Sequence, residues 1–438
     1  MVATLIVGGL TFLVHVATAA KELVLAYRFG TADELDAFLI AFLLPSSAIV
    51  ILAGAFPAAA IPIYMEVQSR EGQEAAQRLY TNILAGSIGF FVAATVLLVL
   101  LAVPVLSLLA SSFSQEKLAL TRSLFFMVLP VLTIKGVATI WTAVLNADNR
   151  FLLGAIVPAI TPVMTLMALL QIGSPWGIYA LVIGAVGGAS LEAAILAWHL
   201  RRVGIPIIPR WNGWTPAMTQ VTRQYGPVVA GAALMSSTVL VDQAMAAMLG
   251  PGSVSALSYG GKMVSFALAV GATALGTAVL PHFSRMVAAE DWQGVRHTVR
   301  TYVRLIVLIT IPVTLLAVLL SEPLVRLIFQ RGAFTMADTE IVSQVQAFLL
   351  LQVPLYLIGI LIVRLISSLK ANSVLMWGCG INFVLNVVLN YVLMQWLQVA
   401  GIALATALVI MVSAAYLWLM LSRVLKEREG RSSLAAMK

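Results

Sequence analysis

Lys21, Lys135, Lys262 and Arg364 fall inside long apolar runs, where a positive charge needs a reason. A charge at the bilayer centre costs about 2.5–3.5 kcal/mol on insertion scales, so each is a functional candidate unless it snorkels to an interface. Lys21 ends the first apolar run, and Lys262 lies early in an apolar run of the second half. If the two halves pack face to face, both ammonium groups enter one cavity from opposite walls. Two facing cations suit a diphosphate or another polyanion, because charge-assisted contacts to phosphate oxygen are strong in a dry site. Lys135 and Arg364 either extend this patch or reach the cytoplasmic surface, and snorkelling is the simpler reading for both. Asp36 opens the second apolar run. Together with Lys21 beside a proline-broken helix, it points to a polar cavity.

A second constellation is polar rather than cationic. Asn382, Asn386 and Asn390 recur at i, i+4 and i+8, on one face of a helix. Thr406 lies on the next apolar run, and Asp242 sits near the middle of the seventh. A carboxylate, amide oxygens and a hydroxyl form a hard-oxygen set suited to sodium, while Asp242 alone could carry a proton. The asparagines could equally be hydrogen-bond glue between helices. Residue types leave both readings standing. Glu192 is either a partner for Lys135 or part of a cavity wall. His15, His199, His282 and His297 show no metal-ligand spacing. The one cysteine, Cys379, excludes an internal disulfide.

The elements that must carry these residues follow from composition. The 438 residues are 61% hydrophobic and 10% charged, against about 25% charged in a soluble domain. The expected fold is therefore an all-α polytopic membrane protein. Apolar windows long enough to cross a bilayer, about 20 residues, fall near 3–27, 36–65, 80–110, 123–146, 151–172 and 176–200. They resume near 224–249, 254–286, 302–329, 340–368, 373–396 and 399–422. These are about twelve transmembrane helices in two six-helix lobes, 1–200 and 224–422. A basic linker rich in proline and tryptophan, 201–223, joins them, and a tail, 423–438, follows. The amino terminus lacks a basic leading region and reads as an uncleaved first span.

Pro45, Pro57 and Pro62 should interrupt the second span. Gly250 lies 220 residues after Gly30, and Pro281 lies 219 after Pro62. Both pairs follow odd-numbered spans. They suggest parallel repeats related by a pseudo-two-fold axis along the membrane normal, hence lobes that rock around a central cavity. The runs GAVGG at 184–188 and GATALG at 271–276 should permit close helix approach. Lysine and arginine crowd one set of alternate loops and the tail, including Arg70, Arg78, Arg150, Arg201, Arg202 and Lys370. The other set holds only Arg28, Lys117, Arg122, Arg326 and Arg331. The bias places both termini in the cytoplasm and accounts for the net charge of +8 without nucleic acid. No loop greatly exceeds 201–223 and no paired carboxylates face a plausible active site, so an enzyme is not expected.

The stretches FGTADELDAFLIAFLLP (29–45), GAFPAAAIPIYMEVQSREG (54–72) and GSVSALSYGGKM (252–263), with ALGTAVLPHFSR (274–285), resemble the MurJ/MviN lipid II flippase family. NADNRF (146–151) and FQRGAFT (329–335) are similar to its loops. That family belongs to the multidrug, oligosaccharidyl-lipid and polysaccharide exporter superfamily. The resemblance implies a cationic central cavity and export of an undecaprenyl-diphosphate-linked saccharide by alternating access. It places the chain in the bacterial inner membrane and in peptidoglycan biosynthesis. His15 and Lys21 stand at the family's basic positions in the first span, and Lys262 at a basic position of the second lobe. With Asp36 and Arg364 they form the expected substrate site. Asp242, Asn382, Asn386 and Thr406 match positions associated with sodium in some members. Ile49 and Ser265 depart from the family's charged residues, and two further spans of that family are not expected here. The alternatives are an exopolysaccharide repeat-unit flippase and a multidrug or organic-cation antiporter. A cation exporter wants cavity carboxylates, whereas Lys21 and Lys262 would repel its cargo. The expected partners are the lipid-diphosphate-linked saccharide and membrane lipids, with the chain acting as a monomer. Sodium or a proton is the coupling ion, and no other cofactor is implied.

Overall fold

The computed structural model describes residues 2–171, 176–369 and 371–436. Lys370 and Lys438, which enter the charge bias, lie outside the described residues. Among the described residues, ten helices are long and apolar enough to cross a membrane. One of them, Ser373–Glu429, holds two of the expected spans. The backbone at Gln398 leaves the helical region (φ 52°, ψ −136°) and divides it. Apolar side chains cover the outer faces, with Leu100 72%, Leu308 73% and Leu319 79% exposed. Lipid is as apolar as leucine, so nothing drives such residues inward.

The chain divides into two compact units, Met1–Ser236 with Arg331–Phe334, and Ser237–Gln330 with Thr335–Lys438. The first unit opens with α1 (Val2–Phe29) and α2 (Asp33–Ala48). A π-helical turn, Ile49–Ala53, and α3 (Phe56–Glu71) complete the second span. The remaining helices are α4 (Gln73–Leu109), α5 (Gln115–Val128), α6 (Pro130–Ala147), α7 (Phe151–Ile156), α8 (Ile160–Gln171), α9 (Tyr179–Val203) and α10 (Pro216–Ala247). A 3₁₀ turn, Val157–Ala159, joins α7 to α8. The last part of α10 belongs to the second unit.

Of the three prolines in the second span, only Pro57 marks the break. Pro45 and Pro62 sit inside α2 and α3, while Pro57 occupies the first turn of α3. Its ring displaces the carbonyl four residues earlier, and its missing N–H leaves the turn ahead of it short of a donor. The chain widens to a π turn over 49–53 in response. Tyr225 of α10 then donates its hydroxyl to the Leu52 carbonyl at 2.7 Å. In hydrocarbon such a carbonyl needs a partner from the protein.

The 201–223 segment is packed rather than loose. Ile205, Met218 and Val221 join a core cluster with Tyr64, Tyr80, Phe91 and Trp141. Asn82 donates to the Gly213 carbonyl (3.0 Å) and accepts from the Asn212 backbone (2.6 Å). The glycines of GAVGG do bring helices together. A Cβ at Gly184 would lie 2.4 Å from Thr165 Cα, and one at Gly188 would lie 2.6 Å from Thr161 Cα. Gly184→Ala should therefore cost about 1–3 kcal/mol by overpacking, read as a lower melting temperature in detergent. Gly187→Ala, with nothing within 4 Å of the new methyl, is the control. There alanine's better helix propensity should leave stability unchanged or raised by up to about 1 kcal/mol.

The second unit continues with α11 (Ser253–Ala288), α12 (Trp292–Leu319), α13 (Ser321–Phe329), α14 (Met336–Leu350), α15 (Val353–Ser368) and α16 (Asn372–Ala436). α14 and α15 pack against both α11 and α16. Thr335 and Asp338 form a capping box that starts α14. The eighth span is unbroken here, since α11 runs as one helix of 36 residues. The left-handed glycine before it is Gly252 (φ 81°), matching Gly30 (φ 51°) in the first unit, rather than Gly250.

Candidate ion and substrate sites

The polar site of the second unit is assembled by α10 and the two halves of α16. Asp242, half-buried on α10, accepts from Asn386 Nδ2 at 2.9 Å and Asn390 Nδ2 at 2.6 Å on Oδ1. Thr406 Oγ1 approaches Oδ2 at 3.3 Å. Asn390 lies eight residues before Gln398 and Thr406 eight after it. The fold-back at Gln398 therefore sets them at one depth. Asn386 and Asn390 are 1% and 0% exposed, and their Oδ1 atoms, with that of Asn382, have no hydrogen-bond partner. A buried acceptor left unmade costs about 1–3 kcal/mol, so the two beside Asp242, on Asn386 and Asn390, mark a place that wants a positive guest.

One expected ligand stands elsewhere. Asn382 turns its amide to Ser413 Oγ at 3.0 Å, and Asn390 takes the place beside the carboxylate. The i, i+8 spacing explains this, since eight residues rise about 12 Å. A stripe of that length shares a face without sharing a point. Asn386 and Asn390 are neighbours on adjacent turns, and those two reach Asp242.

The charged residues of the first unit pair differently from the expectation. Lys21, half-buried, forms an ion pair with Glu22 at 2.8 Å. Asp36, buried at 1% exposure, meets Lys117 at 3.0 Å, and the same ammonium holds Asp33. The expected cavity pairing of Lys21 with Asp36 gives way to these contacts. Lys117 sits in the first turn of α5, and the Phe113 ring supports it at 4.0 Å. Sequence spacing carried no sign of this contact, because 81 residues separate the partners. His15 is exposed on α1, Lys262 on α11 and Arg364 on α15. Lys135 is held by Glu192, which settles both residues in one ion pair.

Residues 25–437 match the family described as lipid II flippase MurJ. The chain belongs to that family. A probable lipid II flippase MurJ of Rhizobium meliloti is 26% identical over 415 residues, covering 91% of this chain and 76% of the relative. Its counterpart in Vibrio cholerae is 24% identical over 432 residues, covering 94% and 81%. Among solved structures, lipid II flippase MurJ in an inward closed conformation matches with a TM-score of 0.83. It is 21% identical, covering 98% of this chain and 91% of that one. An inward-facing multidrug resistance MATE transporter of the MOP superfamily shares the fold at TM-score 0.80 and 13% identity, covering 96% of each chain. This MurJ-family chain is thus a polytopic helical transporter, and the MATE likeness speaks to its fold alone. Sequence reading placed Asn390 on the stripe but left it out of the ligand set, and it missed the Lys117 contact. The first had a signal in its spacing, and the second had none.

Proposed function

We propose that this chain carries a lipid-diphosphate-linked saccharide, lipid II or a closely related lipid-linked oligosaccharide, across the bacterial inner membrane by alternating access. Membership of the MurJ family across 25–437 carries this reading. The basic side chains on α1, α11 and α15 support it, since a diphosphate needs cations to leave water. An ammonium has three N–H donors, and the pair with Glu22 occupies one on Lys21. The others remain for phosphate oxygen. The basic loops orient both termini to the cytoplasm, and the chain acts as a monomer. We further assign sodium as the coupling ion, held by Asp242, Asn386, Asn390 and Thr406. The amides now donate to the carboxylate, and exchange of their N and O ends would present oxygens instead. Sodium there would neutralise Asp242 and satisfy acceptors that lack partners.

Mass spectrometry of lipids co-purified with the protein tests the cargo. The expected species carries a polyprenyl diphosphate and a saccharide, and recovery of none removes the reading. Lys21→Ala and Lys262→Ala should each abolish complementation of a deletion strain while membrane insertion stays normal. Loss of a desolvated phosphate partner costs more than the roughly 0–1 kcal/mol of a surface pair. If both variants complement fully, neither lysine serves the phosphate.

A further inference from the structure

The first unit holds a cavity of about 450 Å³ that none of the sites above uses. Its polar wall is a single face of α6: Lys135, Thr139, Thr142 and Asn146 recur at i, i+4, i+7 and i+11. Glu192 of α9 closes one end. The lining from other elements is otherwise apolar, with Pro57 and Ile61 of α3, Val157 and Pro158, and Leu196 of α9. Pockets of this kind, a few hundred Å³ with mostly apolar walls and a few convergent polar groups, are what small ligands fill.

The charges in it are already spent on each other. Glu192, 3% exposed, accepts from Lys135 Nζ on one oxygen and from the Thr161 backbone N–H (3.1 Å) and hydroxyl on the other. Its carboxylate thereby closes the start of α8 after the 3₁₀ turn and has little left for a cation. The same carboxylate cancels the ammonium, so a phosphate gains no net charge there. What remains are uncharged hydrogen-bonding groups. Lys135 keeps two N–H donors beyond the one that Glu192 takes. Thr139 gives its proton to the Lys135 carbonyl at 2.8 Å and can only accept from a ligand. The side chains of Thr142 and Asn146 have no hydrogen-bond partner among the described residues. Donors and acceptors alternate along a neutral strip in an otherwise apolar lining. That is the chemistry of a pyranose, whose hydroxyls exchange hydrogen bonds while its C–H face packs on apolar carbon.

We propose that this pocket binds one uncharged, hydroxyl-rich sugar unit, apart from the diphosphate. The assignment rests on reading the chain as the carrier of a lipid-linked saccharide. Saturation-transfer NMR on the full-length protein in detergent tests it, with N-acetylglucosamine and methyl glucoside as probes and inorganic diphosphate as the charged control. Wild type should give sugar signals. Thr142→Val should weaken the sugar about fivefold, the worth of one hydrogen bond. Asn146→Trp, at the exposed mouth, should abolish the signals, with diphosphate binding and melting temperature unchanged in both variants. Absent sugar signals in wild type, or signals unchanged in both variants, overturn the pocket. If those failures come from a preparation that still co-purifies a lipid-diphosphate saccharide, the broader reading survives them. A preparation with no such lipid sinks the broader reading and the sugar assignment with it.

Discussion

If sodium is the ion held at Asp242, it should raise the melting temperature of the wild-type protein, and Asp242→Asn should erase that rise. An ion that binds only the folded state stabilises it by RT ln(1 + [ion]/Kd), about 2.7 kcal/mol at 100 times Kd. Among the described residues, the one carboxylate at the site is that of Asp242, which Asn386 Nδ2, Asn390 Nδ2 and Thr406 Oγ1 surround. Without its charge the site keeps two amides and one hydroxyl, too few neutral oxygens to replace the roughly six that surround a hydrated cation. Potassium at equal ionic strength is the control. The structure also separates two ligand sets. Asn390→Leu should weaken the sodium response, whereas Asn382→Leu should leave it in place, because Asn382 is engaged with Ser413. The reverse pattern would restore the set expected from spacing and family resemblance. A wild-type protein indifferent to sodium but responsive to pH would make Asp242 a proton carrier.

The spans were legible because length and apolarity are properties of the chain itself. Helices Tyr179–Val203 and Pro216–Ala247 match the expected 176–200 and 224–249 to within a few residues at three of the four ends. Small residues at 184 and 188 announced a close approach, and the helices meet there. What stayed hidden depends on partners distant in sequence. Composition made 201–223 a linker, yet Ile205, Met218 and Val221 complete a core. Three prolines predicted a broken second span without saying which one breaks it. Pro45 and Pro62 are absorbed within helices, and at Pro57 the Tyr225 hydroxyl, distant in sequence, binds the Leu52 carbonyl beside the break. The asparagine stripe gave the face of the ion site but not its depth, which the fold-back at Gln398 sets. Residue types offered Glu192 as a partner for Lys135 beside the snorkelling reading, and the ion pair forms; nothing in the sequence foretold that Thr161 also binds that carboxylate.

Lys117→Met should be the most destabilising single change in the first unit. It takes the ammonium from Asp36, a carboxylate at 1% exposure, and removing one partner of a buried pair costs about 3–5 kcal/mol. Asp33, the other carboxylate on Lys117, has a half-exposed side chain that water can solvate. Asp33→Asn should therefore cost only the roughly 0–1 kcal/mol of a surface pair. The double variant Lys117→Met/Asp36→Leu replaces the buried pair with apolar groups and should recover most of the loss. Equilibrium unfolding of wild type, Lys117→Met, Asp36→Leu and the double variant gives the coupling directly. If the single effects add within about 0.5 kcal/mol, the two residues are energetically independent and the contact is incidental. The same double variant divides structure from transport at Asp36. Asp36 was expected in the substrate site, but its carboxylate is committed to Lys117. A stable double variant that still complements a deletion strain makes Asp36 a positioning residue that ties α2 to α5. A stable one that fails to complement returns its carboxylate to the substrate path.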